Sequence, residues 1–338
     1  MLQVFGLIVR RMITVIPIVI GVAVITFFLV NAIPGDPGRA LAGPYASEAT
    51  VAQIRANWRL DEPLLAQLLA YLGNLATGNL GVSIQSRAPV ADEIFGRLPA
   101  TLELSFTALL IMIVVGLGLG ITAAVQNGRF LDHVARVVAV LGAALPVFWL
   151  ALMAQLVFYS MLGWLPAVGR NTSEALTPDR VTGFNVLDSI LTGNWPALGD
   201  SVSHLILPAL VLAVGGLAGI VRIARASMLE VLHTDYVRAA TARGLGWRSV
   251  TLRHAFRNAL LPSITVIGLL FGATLGGALV VEWVFAWPGI GTFAANSITN
   301  LDYPSIIGVT LLFAIAYLIV NLVVDVLYLV INPKLRSA

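Results

Sequence analysis

Cysteine is absent from the 338 residues, which removes disulfides, thiolate metal sites and a cysteine nucleophile from consideration. Lysine occurs once, at Lys334. A phosphate-binding P-loop needs a Gly-Lys-Ser/Thr ending, and none exists, so this chain hydrolyses no nucleotide through a P-loop of its own. Charge is scarce altogether: 11% of residues are charged and 58% hydrophobic, where soluble domains carry about 25% charged residues. With a mean hydropathy of +0.91, this is a membrane protein. The formal charge of +3 is small and unevenly spread. It gives no case for nucleic acid, whose recognition needs a basic face with stacking aromatics.

What the chain has instead is long apolar runs. Arg10-Arg11 precede a run from Met12 to about Ile33. It is longer than the roughly 7–15-residue core of a signal peptide and suits a retained membrane helix. Further runs at 102–125, 137–162, 205–221, 259–281 and 306–331 are each near the length that crosses the hydrocarbon core. The expectation is an all-α integral membrane protein with six spans. Glu103 and Glu282 fall at span ends. Asp325 lies about two turns from the end of the sixth, where pairing with an arginine is the structural expectation. No span carries an acid near its middle, so a stand-alone ion-coupled carrier lacks the group it needs.

Basic residues set the orientation. With the N-terminus inside, segments 1–11, 126–136, 222–258 and 332–338 hold 13 of the 20 arginines and lysines. Both termini are therefore expected in the cytoplasm. Outside, Ile33-Pro34-Gly35-Asp36-Pro37 ends the first span, since proline cannot continue a helix. Ser47 is placed to cap a helix carrying Val51, Ile54 and Trp58, and Asp61 a second carrying Leu64, Leu68, Tyr71, Leu72 and Leu75. Together they predict a small helical extracytoplasmic subdomain. A second outer segment contains Trp164-Leu165-Pro166, an interfacial anchor, then polar residues from Gly169 to Asp188 that read as loop.

Signals for chemistry are weak. Gly81-x-Ser83 has no histidine near it, and His233 and His254 stand too far apart for metal-ligand spacing. An intramembrane hydrolase would find only Gln155 and Ser160 in the 137–162 run. Glycines recur at helical spacing: Gly268, Gly272 and Gly276, with Gly277 beside them, mark a closely packed helix interface. Gly116, Gly118 and Gly120, and Gly215, Gly216 and Gly219, hint at the same.

The most distinctive stretch is Asp235–Pro262, DYVRAATARGLGWRSVTLRHAFRNALLP, with arginine at 238, 243, 248, 253 and 257. Asp235, Tyr236, Arg238, Ala239, Ala240 and Arg243 fall in a short helix with a low alanine face that another protein can approach closely. Gly244 suits the left-handed position that stops a helix, and Leu245 follows it. A second helix can begin at Trp247. An ordinary amphipathic interfacial segment with arginines facing headgroups is the bland alternative.

This stretch, from Asp235-Tyr236-Val237-Arg238-Ala239-Ala240 to Gly244-Leu245 and then Arg253-His254-Ala255-x-Arg257-Asn258-Ala259-Leu260-Leu261-Pro262, resembles the cytoplasmic signature loop of ABC-importer permeases. Its form is that of the dipeptide, oligopeptide, nickel and glutathione branch, nearest the dipeptide permeases. Arg238 stands where the general family pattern has glutamate. Leu98-Pro99-Ala100-Thr101-Leu102-Glu103, Val284-Phe285-x2-Pro288-Gly289-Ile290-Gly291, Asp302-Tyr303-Pro304 and Asn321-Leu322-x2-Asp325-x-Leu327-Tyr328 agree, as does the 33–37 block.

The resemblance implies a six-span type I ABC importer permease in a bacterial cytoplasmic membrane. Its parts would be an N-terminal span (1–33), an extracytoplasmic helical segment (34–98), a permease core (99–331) with a coupling loop at 229–258, and a cytoplasmic tail (332–338). It further implies a homologous second permease, two cytoplasmic ATPase subunits holding ATP and magnesium, and an extracytoplasmic solute-binding protein. This chain would bind no cofactor and perform no catalysis.

Overall fold

The computed structural model describes residues 2–32, 38–39, 46–57 and 61–331. The 33–37 block, Trp58 and the tail with Lys334 lie outside the described residues, as do the side chains of Arg248, Asp325 and Tyr328. Among the described residues the elements are helical: α1 Leu2–Asn31, α2 Glu48–Asn57, α3 Leu64–Ala76, α4 Val90–Val125, α5 Phe130–Ala144, α6 Val147–Ala154, α7 Asn185–Leu191, α8 Trp195–Leu232, α9 Asp235–Ala242, α10 Phe256–Val284, α11 Ile290–Thr299 and α12 Tyr303–Ile331. Two wider π-helical stretches, Gln155–Met161 and Val250–Ala255, continue α6 and lead into α10.

Four helices are long and apolar enough to cross a membrane, within α4, α8, α10 and α12. Five are if α5 and α6 count together as one span. The expected single run over 137–162 is in fact broken by a bend of 108°. Pro146 causes it: the residue before a proline is pushed out of the α region, and Leu145 is extended at φ −91°, ψ 132°. In α1 the apolar helix whose side chains are described runs over Ile13–Leu29.

The chain divides into two units, one of Met1–Pro99 with Pro288–Ile319 and the other of Ala100–Trp287 with Val320–Ala338. In the first, Ala23 of α1 packs with Tyr303, Ile307 and Leu311 of α12, and Leu72 and Leu75 of α3 join them. Phe27 stacks on Tyr71 with ring centroids 5.8 Å apart. Ser47 caps α2 as expected, accepting from Thr50 N–H at 3.2 Å. Asp61 does not cap α3; Pro63 holds that position, because its fixed φ already suits a helix entry. Ser83 is structural: its hydroxyl donates to the buried Asp302 carboxylate at 2.5 Å, which also accepts from Ile84 N–H and Ser305. The carboxylate thereby ties the 83–84 turn to the start of α12.

The second unit is built around α8. Ala100, Leu104, Ala108 and Met112, one face of α4 at four-residue spacing, pack with Leu205, Ala209 and Leu212 of α8. The glycine hints hold for Gly116, Gly120 and Gly216, whereas Gly118 faces open space. A Cβ on Gly116 would sit 2.8 Å from Ile220 Cγ2, and one on Gly120 would sit 2.7 Å from Ala224 Cβ and 2.9 Å from the Val221 carbonyl. Gly142 of α5 meets the Val214 carbonyl as closely. Small residues let helices approach where lipid supplies no hydrophobic drive between them.

Polar groups fix the Trp195 end of α8. Glu103 is buried and ion-paired with Arg170, and it accepts from Val186 N–H at 2.8 Å. Arg170 also lies 5.7 Å from the Trp287 ring. Glu282, fully buried, accepts from Thr101 at 2.6 Å. Gln155, weighed above for catalysis, instead donates to the carbonyls of Ala167 and Val284. The segment read as loop holds a helix, α7, whose Asn185, Asp188 and Ser189 are buried.

Candidate functional site

The Asp235–Pro262 stretch folds as a short helix on a hydrophobic footing. His233 ends α8, and Thr234 is extended at φ −74°, ψ 153°, turning the chain into α9. Val237 is the buried residue of α9. It packs with Met228 of α8, Ala124 of α4, and Val250, Ala255 and Ala259 beyond the loop. Ala240, one turn on, is half-buried against the same cluster. Tyr236 adds polar ties: its phenolic oxygen accepts from Asn258 Nδ2 at 2.8 Å and its hydroxyl donates to the His254 carbonyl.

The opposite face is free. Asp235, Arg238, Ala239, Ala242 and Arg243 are exposed. Arg238 approaches Asp235 at 3.6 Å with both side chains in solvent, where such a contact is weak. Arg238 therefore costs little to redirect toward a partner. Gly244 ends the helix at φ +77°. Its N–H donates to the Thr241 carbonyl at 2.9 Å, and Leu245 N–H reaches back to the Ala240 carbonyl at 3.4 Å. Those two bonds form the Schellman stop that a left-handed glycine permits. Leu245 and Trp247 follow with exposed side chains.

The structure thus brings Asp235, Tyr236, Arg238, Ala239, Ala240, Arg243, Gly244 and Leu245 together on one short element with an open face. The glycines of α10 lie elsewhere. Gly268 abuts Val324 of α12 with no room for a Cβ, Gly272 is half-buried, and Gly276 has nothing within 4 Å of a built Cβ.

One cluster escaped the sequence reading. Asp132, at the start of α5 and fully buried, is ion-paired with Arg136 on its own helix. It also accepts from Arg225 Nε of α8 at 2.6 Å and from Gly128 N–H at 3.0 Å. The i,i+4 spacing of Asp132 and Arg136 was visible; the partner 93 residues away was not. Arg225 stands ten residues before α9, so this clamp holds the stem from which the exposed helix projects.

Residues 116–337 match the family described as binding-protein-dependent transport system inner membrane component. Residues 1–105 match its N-terminal companion. A probable D,D-dipeptide transport system permease protein of Escherichia coli K12 is 47% identical over 319 residues, 94% of each chain. A dipeptide transport system permease protein of the same strain is 42% identical over 332 residues, 97% of this chain and 98% of the relative. A glutathione transport system permease protein of Escherichia coli O6:H1 is 39% identical over 329 residues, with the same coverage.

Proposed function

Since the chain belongs to the family of binding-protein-dependent transport system inner membrane components, we propose that it is the permease subunit of an ABC importer that carries short peptides, dipeptides foremost, across the bacterial cytoplasmic membrane. It is a transport subunit and not an enzyme. ATP and magnesium belong to two cytoplasmic ATPase subunits, and a homologous permease and an extracytoplasmic solute-binding protein complete the assembly. The membrane topology that goes with this has six spans, α1 and the α5–α6 pair included, with both termini in the cytoplasm. The helices α2 and α3 then lie on the outer side.

The observation that carries the proposal is the open face of α9 with its glycine stop. Ala239, Ala242 and Gly244 keep the backbone accessible, and Arg238 and Arg243 stand free to meet polar groups of an ATPase. Closing of the ATPases moves α9, and the spans follow. ATP shifts the equilibrium by its differential affinity for the two states. Gly276, open on α10, suits the approach of the second permease.

Gly244→Val is the test. A β-branched residue at φ +77° is strained by about 1–3 kcal/mol, which distorts the stop at the docking face. Stimulation of ATPase activity by loaded binding protein should collapse while the amount of protein in the membrane stays similar. Unchanged stimulation would refute docking through α9. Substrate class is tested separately by uptake of labelled dipeptide, glutathione and nickel in a strain lacking the gene. Normal dipeptide uptake there would exclude the dipeptide assignment and leave glutathione as the next candidate.

A further inference from the structure

The helix α7 is inside out for a water-facing segment. Its polar residues point inward: Asn185 donates to Asn171 at 2.6 Å, and Ser189 to its own helix at the Asn185 carbonyl. Asp188 accepts from the N–H groups of Val181, Thr182 and Gly183 and from the Thr182 hydroxyl. Its apolar residues point outward. Leu187, Ile190 and Leu191 are exposed, and so is Trp195 at the start of α8.

The outward stripe does not end there. Beyond Trp195 the large exposed apolar side chains of α8 are Val202, Ile206 and Leu210, at helical spacing on a helix long and apolar enough to cross the membrane. Between Arg180 and Asp200 the only charged residue is Asp188, and it is buried.

From these observations we propose that α7 lies in the membrane, its Leu187–Ile190–Leu191 face sunk into the boundary between headgroups and acyl chains on the extracytoplasmic side. Three features favour lipid as the occupant. The stripe is continuous with the lipid-accessible face of a spanning helix. It is free of charge, whereas protein interfaces carry a polar rim and favour arginine. An exposed tryptophan, Trp195, adjoins it, and tryptophan concentrates at the membrane interface. At seven residues, roughly 10 Å long, α7 is too short to cross and must lie along the surface as interfacial helices do. The proposal depends on the membrane setting of the family and not on the peptide assignment, so either can fail alone.

The absence of native cysteine makes the test direct. Leu187→Cys and Leu191→Cys are made in the full-length chain, co-purified with the chains that assemble on it and placed in lipid nanodiscs. Each carries a nitroxide label, and collisions are read with molecular oxygen, which enters lipid, and with a nickel chelate, which stays in water. Leu110→Cys, on an exposed position of α4, is the lipid reference, and Asp179→Cys, exposed in the preceding loop, is the water reference. The expected ratio of oxygen to nickel collisions at 187 and 191 matches position 110 and exceeds position 179 several-fold. A ratio equal to that at 179 would put the face in water, and low collision with both reagents would put it under another protein; either overturns the proposal. Far-ultraviolet dichroism and the amount of assembled complex verify that each variant is folded.

Discussion

The two ends of α8, a helix of 38 residues and thus about 57 Å long, are built on different principles. Around Trp195, charged side chains are enclosed and satisfied: buried Glu103 with Arg170, buried Asp188 with four donors, and the mostly enclosed Asp200 with Thr172. At the Leu232 end the Asp132–Arg225 clamp holds the stem, but α9 beyond it rests on one buried valine and the two hydrogen bonds of Tyr236, and its charges stand in solvent. Buried charges are costly to orphan and so fix one geometry, whereas a shallow apolar footing is cheap to shift. One end is fastened by buried charge and the other is lightly seated, as the proposed docking role requires.

Four experiments sharpen or break that contrast. The largest effect is expected from Glu103→Gln, which leaves Arg170 buried without its counter-charge. Removing one partner of a buried pair typically costs about 3–5 kcal/mol, read as a lower unfolding midpoint of the solubilised transporter. A midpoint within error of wild type would show that the fastening carries no strength.

Asp188→Asn comes next, at about 1–3 kcal/mol for the donors left unsatisfied. Burial alone would push the Asp188 carboxyl up, but its hydrogen bonds from Thr182, Gly183 and Val181 outweigh that and hold it below the usual carboxylate range. Because the folded form is the more acidic, its contribution is complete above the ordinary carboxylate range near pH 4 and is lost as pH falls through the depressed folded value. Wild type should therefore lose stability on acidification more steeply than the asparagine variant, measured by unfolding midpoints across an acid series.

Val237→Ala should behave differently. Losing two methyl-sized groups costs about 1.5 kcal/mol, felt locally. Hydrogen exchange over 235–242 should quicken roughly tenfold while the global midpoint barely moves; an equal fall in both would mean that α9 is fastened as firmly as the other end. Tyr236→Phe is the smallest, about 0.5–1 kcal/mol for its partly exposed hydrogen bonds. It should leave the global midpoint within error, loosen α9 locally and alter the sensitivity of ATPase stimulation to binding-protein concentration.

How far the sequence reached depends on what each signal needed. Apolar runs long enough to cross a bilayer need no partner to be recognised, and the runs within α4, α8, α10 and α12 were found. Gly244 needed only its own backbone preference, and the observed φ agrees. The bend at Pro146 was missed because it lies inside an unbroken apolar run, where hydropathy outweighs the local rule about the residue before proline. The helix α7 was read as loop because inward-facing polar residues invert the usual pattern. The Glu103–Arg170 and Asp132–Arg225 pairs join residues 67 and 93 apart, and nothing local announces such partners.

The close crossing of α4 and α8 restricts what motion is open to this unit. Gly120 admits the Val221 carbonyl at a distance no side chain would allow, and Ile220 seats over Gly116, while Met112 occupies the neighbouring turn. Sliding α8 by a turn toward the start of α4 would drive Ile220 into that methionine. Sliding in that direction is blocked while tilting about the crossing is not, so if α9 is the docking helix proposed above, a push on it would reach α4 as a tilt of the pair.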